Sequence, residues 1–173
     1  FQGRIRSRKM GDITFALIQA QPHQAHRVPV LPKGRDRFAL SLQLEGHSTV
    51  SQHGRTRDLR PGDYCTYDPE LQYTRVFEEP TSSFVILFPR AFLMLPENVL
   101  HEAGALVVRP DTMLPSLYSD LLLGLAQGID SLDSFNGFRV ARATIEMLST
   151  SLLSTLNVGS LDSGSSSDQL RLA

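Results

Sequence analysis

From Phe38 to Glu45 the chain alternates without a fault. Phe38, Leu40, Leu42 and Leu44 fall on one side, and Ala39, Ser41, Gln43 and Glu45 on the other. A period of two is that of a β-strand with two unlike faces. Extended runs recur on either side of it. Ile13 to Ile18 is β-branched and aromatic and ends before Pro22, and Thr49 to Gln52 runs into a hairpin tip at Gly54-Arg55. Arg60-Pro61-Gly62-Asp63 puts Pro and Gly where a tight turn needs them, and Tyr64 to Asp68 and Tyr73 to Phe77 are extended again. Phe84 to Phe88 is a continuous apolar run between turn signals, the pattern of a strand covered on both faces. Strands spaced by about 8 to 12 residues, with no helix between them, specify an antiparallel sandwich or barrel.

The flanks read differently. Phe1-Gln2-Gly3 reads as a tag remnant, Arg4 to Arg8 as a solvated basic lead-in, and the stretch from His23 through Pro29 and Pro32 to Gly34 as a surface loop. After Pro89-Arg90, Ala91 to Leu95 allows one helical turn before Pro96, and Leu106 to Val108 a short strand. From Asp111 the period becomes helical. Leu114, Leu117, Leu121 and Leu125 form one seam, with Asp111 or Thr112 as cap and Gly128 as stop. A second helix from about Ser134 carries Phe138, Ala141, Ile145, Leu148 and Leu152 and is expected to stop at Gly159. This seam either packs on the core or forms a two-fold interface between copies, in which Ile145, Leu148 and Leu152 would take part. The expected division is a barrel over 4–110, a helical annex over 111–159 and a Ser/Gly-rich linker over 160–173.

At 173 residues and 41% hydrophobic, the chain can bury one sizeable core. Its 17 Lys and Arg against 18 Asp and Glu offer no positive surplus with which to grip a phosphate backbone, so any DNA contact is expected elsewhere. Cys65 is the only cysteine, which excludes an internal disulfide, fits a reducing cytosolic compartment and reads as a small strand residue. No apolar run approaches the roughly 20 residues of a membrane span, and no membrane partner is expected.

Chemistry-bearing patterns are sparse. His23, His26, His47, His53 and His101 form no His-x-His and have no Glu at metal-binding spacing, so neither a metal nor a cofactor is expected. There is no Gly-x-Ser-x-Gly elbow and no phosphate-cradling glycine loop, and Asp63, Asp68, Glu70, Glu78 and Glu79 sit in turns. What remains is a small-molecule pocket in the barrel mouth. If the Phe38 face packs on the helices, Ala39, Ser41 and Gln43 face the lumen; the reverse assignment is equally open. Tyr67, Tyr73, Arg75 and Arg90 are the other polar residues on strands or at their ends. The candidate ligand-binding set is therefore Ser41, Gln43, Tyr67, Tyr73, Arg75 and Arg90, with no catalytic residue.

The order and spacing of Phe38 to Gly46, Gln52-His53-Gly54-Arg55, Leu59-Arg60-Pro61-Gly62-Asp63, Tyr67-Asp68, Phe77 and Phe88-Pro89-Arg90 resemble the amino-terminal sensor domain of AraC/XylS-family transcriptional regulators. The resemblance covers nearly the whole chain. It implies a mainly β fold, a cupin-like antiparallel β-barrel of the jelly-roll type followed by two antiparallel α-helices. It further implies a small-molecule effector, a homodimer through the C-terminal helices, and a bacterial, cytoplasmic regulator. DNA would be engaged only by a C-terminal helix-turn-helix domain that this chain lacks, and Asp168 to Ala173 sit where the family runs into its first DNA-binding helix. Pro-Gly-Asp is common to cupins, and no residue here matches a known sugar, aromatic-acid or fatty-acid contact. Some members answer to a protein partner instead. The alternative is a stand-alone cupin enzyme, a metal-dependent dioxygenase or isomerase. A carbohydrate-binding module comes third, since the chain has no Trp and four Tyr with which to build an aromatic platform.

Overall fold

The computed structural model describes residues 2–28 and 36–168. Ten strands form two antiparallel sheets: β1 (Gly3–Met10), β2 (Ile13–Ala20), β3 (His23–Arg27), β4 (Arg37–Glu45), β5 (Ser48–Gln52), β6 (Arg55–Leu59), β7 (Tyr64–Tyr67), β8 (Tyr73–Phe77), β9 (Thr81–Pro89) and β10 (Leu106–Val108). The larger sheet runs β1-β2-β9-β4-β7-β10 and the smaller β3-β8-β5-β6. The expected barrel is thus made by two facing sheets and not by one continuous hydrogen-bonded ring. Three helices follow or interrupt the strands: α1 (Glu97–Glu102), α2 (Met113–Gln127) and α3 (Ser134–Asp168).

The alternation in β4 now has an explanation on each side. Phe38, Leu40 and Leu42 belong to a core shared with Phe15, Phe84, Ile86, Tyr118, Leu122, Ile145 and Leu148, which places the helices on that face of the larger sheet. Ala39, with Val50, Leu59, Cys65 and Tyr67, belongs to a second, smaller cluster between the sheets. The molecule is therefore layered as helices, six strands and four strands, and β4 is buried from both directions. Each large side chain taken fully out of water here contributes about 1.5–3 kcal/mol. Polar clasps tie the helical layer down. The Tyr64 and Ser151 hydroxyls meet at 2.5 Å, Thr66 donates to the Ala103 carbonyl at 2.6 Å, and Tyr118 donates to the Thr144 carbonyl at 3.0 Å.

The turn at Pro61-Gly62-Asp63 forms as expected, with Gly62 at φ 93°. The Asp63 carboxylate accepts from the Arg60 backbone amide and from Arg109, and the Gly62 carbonyl accepts from Ser119, so this turn also anchors α2. The β5–β6 hairpin closes one residue earlier than expected: Gln52 pairs with Arg55, and His53 and Gly54, both at positive φ, form the tip.

Several expectations are corrected. Arg4 to Arg8 is not a loose lead-in but part of β1, and Gly3, assigned to a tag remnant, pairs with Ala20. His23 to Arg27 is a strand and not a loop; it pairs with β8 on one side only, and such an edge tolerates a polar sequence. The Pro29 to Gly34 part of that loop expectation lies outside the described residues. α1, unforeseen, opens after Pro96 with Glu97 in its first turn. On α2 the buried face is Pro115, Tyr118, Leu122, Leu125 and Ala126, one position on from the expected seam, and Leu117 is 54% exposed. α3 runs through Gly159 to Asp168, because glycine in a helix costs only about 1 kcal/mol and removes no hydrogen bond. Residues 160–168 of the expected linker are therefore helical, and 169–173 lie outside the described residues. Ile145, Leu148 and Leu152 are 1%, 0% and 0% exposed within one copy, packed on the chain's own core; they are not available as a face for a second copy.

Candidate functional site

The register of the strands decides which residues face the space between the sheets. On the larger sheet, Ser41 pairs with both Cys65 and Val85, and Val85 with Ala16; Ala39 pairs with Tyr67 and Leu87, and Leu87 with Thr14. Residues paired directly across a ladder share a face. On the smaller sheet, Arg75 pairs with Ala25 and Val50, so Tyr73, Arg75 and Phe77 share a face with Ser48, Val50 and Gln52.

Arg75 is the centre of this space. Nη1 donates to the Ser41 hydroxyl at 2.9 Å and Nη2 to the Ser48 hydroxyl at 3.1 Å, so the side chain reaches from one sheet to the other. Ser48 in turn donates to the Gln43 amide oxygen at 2.8 Å, and the Gln43 amide nitrogen to the Glu45 carbonyl at 2.9 Å. The guanidinium carbon lies 5.0 Å from the Phe77 ring centre and 5.9 Å from that of Tyr67, within cation–π range. The Tyr67 and Tyr73 rings are 5.0 Å apart. Ser41, Gln43, Tyr67, Tyr73 and Arg75, five of the six candidates, thus come together around one guanidinium. Ser48 and Phe77 complete the group and were missed by the sequence reading. The alternation of Ser48, Val50 and Gln52 was the available signal for Ser48.

Burial sets the protonation states here. It pushes the Tyr67 hydroxyl up to about 12, against the pull of Arg75, and it also raises the Cys65 thiol. Both stay neutral near pH 7. Thr14, Ala16, Ile18, Val85 and Leu87 remain only half-buried although they lie on this inner face, so the apolar side of the space is not filled by the smaller sheet.

Arg90, the sixth candidate, belongs to a separate cleft of about 330 Å³ lined by His53, Asp68, Glu70, Glu97, Leu100 and His101 among others. Its guanidinium pairs with Asp68, with Asp36 at 3.1 Å and with Glu97 at 3.2 Å, so its charge is already more than matched. Burial raises the Asp68 carboxyl. His53 stands with its ring centre 4.2 Å from that of His101, and burial, then His101 and Arg55, lower its pKa. Among the described residues no group of three His, Cys, Asp or Glu side chains is placed to hold a metal ion, and no step through a metal is derived. No helix among them is long and apolar enough to cross a membrane.

Comparison with known proteins bears on the whole arrangement. The sequence model of the AraC-binding-like domain matches residues 1–154. An uncharacterized protein from the nit 5′ region of Bacillus sp. (strain OxB-1) is 31% identical over 156 residues, which cover 88% of this chain and 60% of that protein. The crystal structure of the AraC-like transcriptional activator CuxR superposes with a TM-score of 0.75 at 16% identity, over 86% of this chain and 55% of that one. The chain spans less than two thirds of either protein. With the family match running from the first strand into α3, the chain belongs to the AraC-binding-like domain family, with a fold of two antiparallel sheets and a helical layer.

Proposed function

We propose that this chain is the effector-sensing and dimerisation domain of a bacterial, cytoplasmic AraC-family regulator, not an enzyme. A small molecule would bind between the two sheets, and DNA would be engaged by a helix-turn-helix domain following α3. The observation that carries this reading is the polar group gathered around Arg75 beside half-buried apolar residues on the inner face of the larger sheet. Such a mixture of apolar wall and few convergent polar groups is what a small-molecule site requires. No carboxylate or histidine side chain is hydrogen-bonded to Arg75, Ser41 or Ser48 among the described residues, and Tyr67 and Cys65 beside them are held neutral.

Transmission has a short route. β4 and β7 carry effector-side residues on one face and helix-side residues on the other, so a shift of Ser41 or Tyr67 is passed to Leu40, Leu42 and Tyr64, and through Tyr64 to Ser151 on α3. For dimerisation the outer side of α2, where Met113 and Leu117 are 83% and 54% exposed, is one exposed apolar face, and α3 exposes Phe135 at 71%. A thermal-shift screen of metabolites tests the sensing function, because a ligand that binds only the folded state raises its apparent stability. A compound whose effect is lost in Ser41→Leu but kept in the surface variant Arg57→Ala is the expected result. Compounds whose effects ignore Ser41→Leu contradict it.

A further inference from the structure

An arginine as buried as Arg75, at 5% exposed, normally has a carboxylate beside it, because taking a guanidinium out of water is costly unless its charge is matched. Arg75 has none: among the described residues it takes part in no ion pair, and its Nε–H has no hydrogen-bond partner. The stretch outside the described residues between β3 and β4, Pro29 to Arg35, contains no acidic residue. The groups that do touch the guanidinium are the Ser41 and Ser48 hydroxyls, the face of Phe77, and Tyr67 through both its ring and its hydroxyl, all neutral. Tyr67 and Cys65 cannot supply the missing charge by ionising, since burial raises both. Contrast Arg90, with carboxylates from Asp36, Asp68 and Glu97 around it.

The surroundings of the unmatched charge have a definite shape. Beside Ser41 on the same face lie Val85 and then Ala16, each one strand further on, with Leu87 and Thr14 in the adjoining row. These side chains are half-buried and, apart from Thr14, apolar. With strands about 4.8 Å apart, the row from Ser41 to Ala16 spans roughly 10 Å.

We propose that the effector is a monocarboxylate with a compact apolar body, its carboxylate paired with Arg75 at Nε and its body lying along Val85, Ala16 and Leu87. This rests on the sensing function proposed above. A single nitrogen with no partner, Nε, and a single unmatched positive charge suit a monoanion; a phosphate dianion would bring a second charge with nothing to meet it. The serines orient the guanidinium, and the ligand completes it. In the free domain the charge is left unpaid by design of the site, so Arg75 weakens the empty fold and strengthens the filled one.

Isothermal titration of the full chain with matched acid and amide pairs tests this: benzoate against benzamide and hexanoate against hexanamide, with phenyl phosphate as the dianion. At least one carboxylate binds, and its amide binds more weakly by about 10- to 150-fold, the size of one lost charge-assisted hydrogen bond. Arg75→Met loses binding by a similar factor while remaining at least as heat-stable as the parent, and Arg75→Lys keeps part of the affinity. An amide that binds as well as its acid, or Arg75→Met binding the acid unchanged, overturns the anion and leaves the sensing function standing. No binding by any carboxylate overturns the proposed class. If the wider metabolite screen is also blank, the sensing function falls with it.

Discussion

Arg75, on the four-stranded sheet, donates to the hydroxyl of Ser41, on the six-stranded sheet, at 2.9 Å, so one side chain joins the two walls of the interior. Removing the acceptor while keeping the donor should be the harmful change. Ser41→Val leaves a buried guanidinium N–H unsatisfied and is expected to lower stability by about 1–3 kcal/mol. Adding Arg75→Met to Ser41→Val should restore most of that loss. Urea unfolding of the two single variants and the double variant measures the coupling.

A second relationship links the sheet to α3. The Tyr64 and Ser151 hydroxyls are paired in the core at 2.5 Å, and burial pushes the Tyr64 hydroxyl up to about 12. Ser151→Ala therefore strands a buried phenol and should cost about 1–3 kcal/mol, whereas Tyr64→Phe with Ser151→Ala should cost less than the sum of the two single changes. A double-mutant cycle by thermal or urea unfolding checks this.

The buried and exposed faces of the helices separate folding from association. Leu148→Asp puts a carboxylate into the buried core that Leu148 shares with Leu40, Leu42 and Tyr118 and should destabilise by more than about 4 kcal/mol, so that the chain fails to fold. Leu117→Asp lies on the exposed side of α2 and should change stability by no more than about 0.5 kcal/mol. If that face joins two copies, sedimentation velocity will show Leu117→Asp shifted toward monomer relative to the parent. Identical sedimentation would place the interface elsewhere.

The cleft at His53 predicts a pH dependence with a definite sign. The folded pKa of His53 lies below the ordinary histidine value of 6.5, owing to burial and to the nearby His101 and Arg55. The unfolded chain then binds the proton more readily than the folded one, so His53's contribution to stability is whole above pH 6.5 and is lost as pH falls below it. Asp68 nearby opposes this only in part. His53→Asn, which tolerates the positive φ of this tip, should flatten the thermal stability profile just below pH 6.5 relative to the parent.

Much of the fold was legible because local pattern and packing agree in it. β4 alternates between two buried faces of opposite character, β7, β8, β9 and β10 fall on the extended runs, and α3 follows its apolar seam, whereas α2 buries the face one position on from the seam that its leucines mark. The choice of face for Ser41 and Gln43 was not legible, since either side of β4 could have met the helices; the positions of Phe15, Tyr118 and Ile145 decide it. β3 was hidden because an edge strand needs little apolar content, and α1 because it is a short helix with a single buried residue, Leu100. The lack of a counter-charge at Arg75 is a fact about space: nothing in the local sequence distinguishes it from Arg90, which has three carboxylates near it. The α3 seam was read correctly as apolar, but the core that covers it belongs to the same chain.

The central claim is that the space between the sheets at Arg75 is where a small molecule is sensed. The most direct measurement is a crystal structure of the protein with the compound that most stabilises it in solution. The account predicts that compound between the six- and four-stranded sheets, with a polar atom in hydrogen-bonding distance of Arg75 Nε. A compound seated instead in the Arg90–His53 cleft or on the outer surface, with Arg75 unchanged, would contradict it.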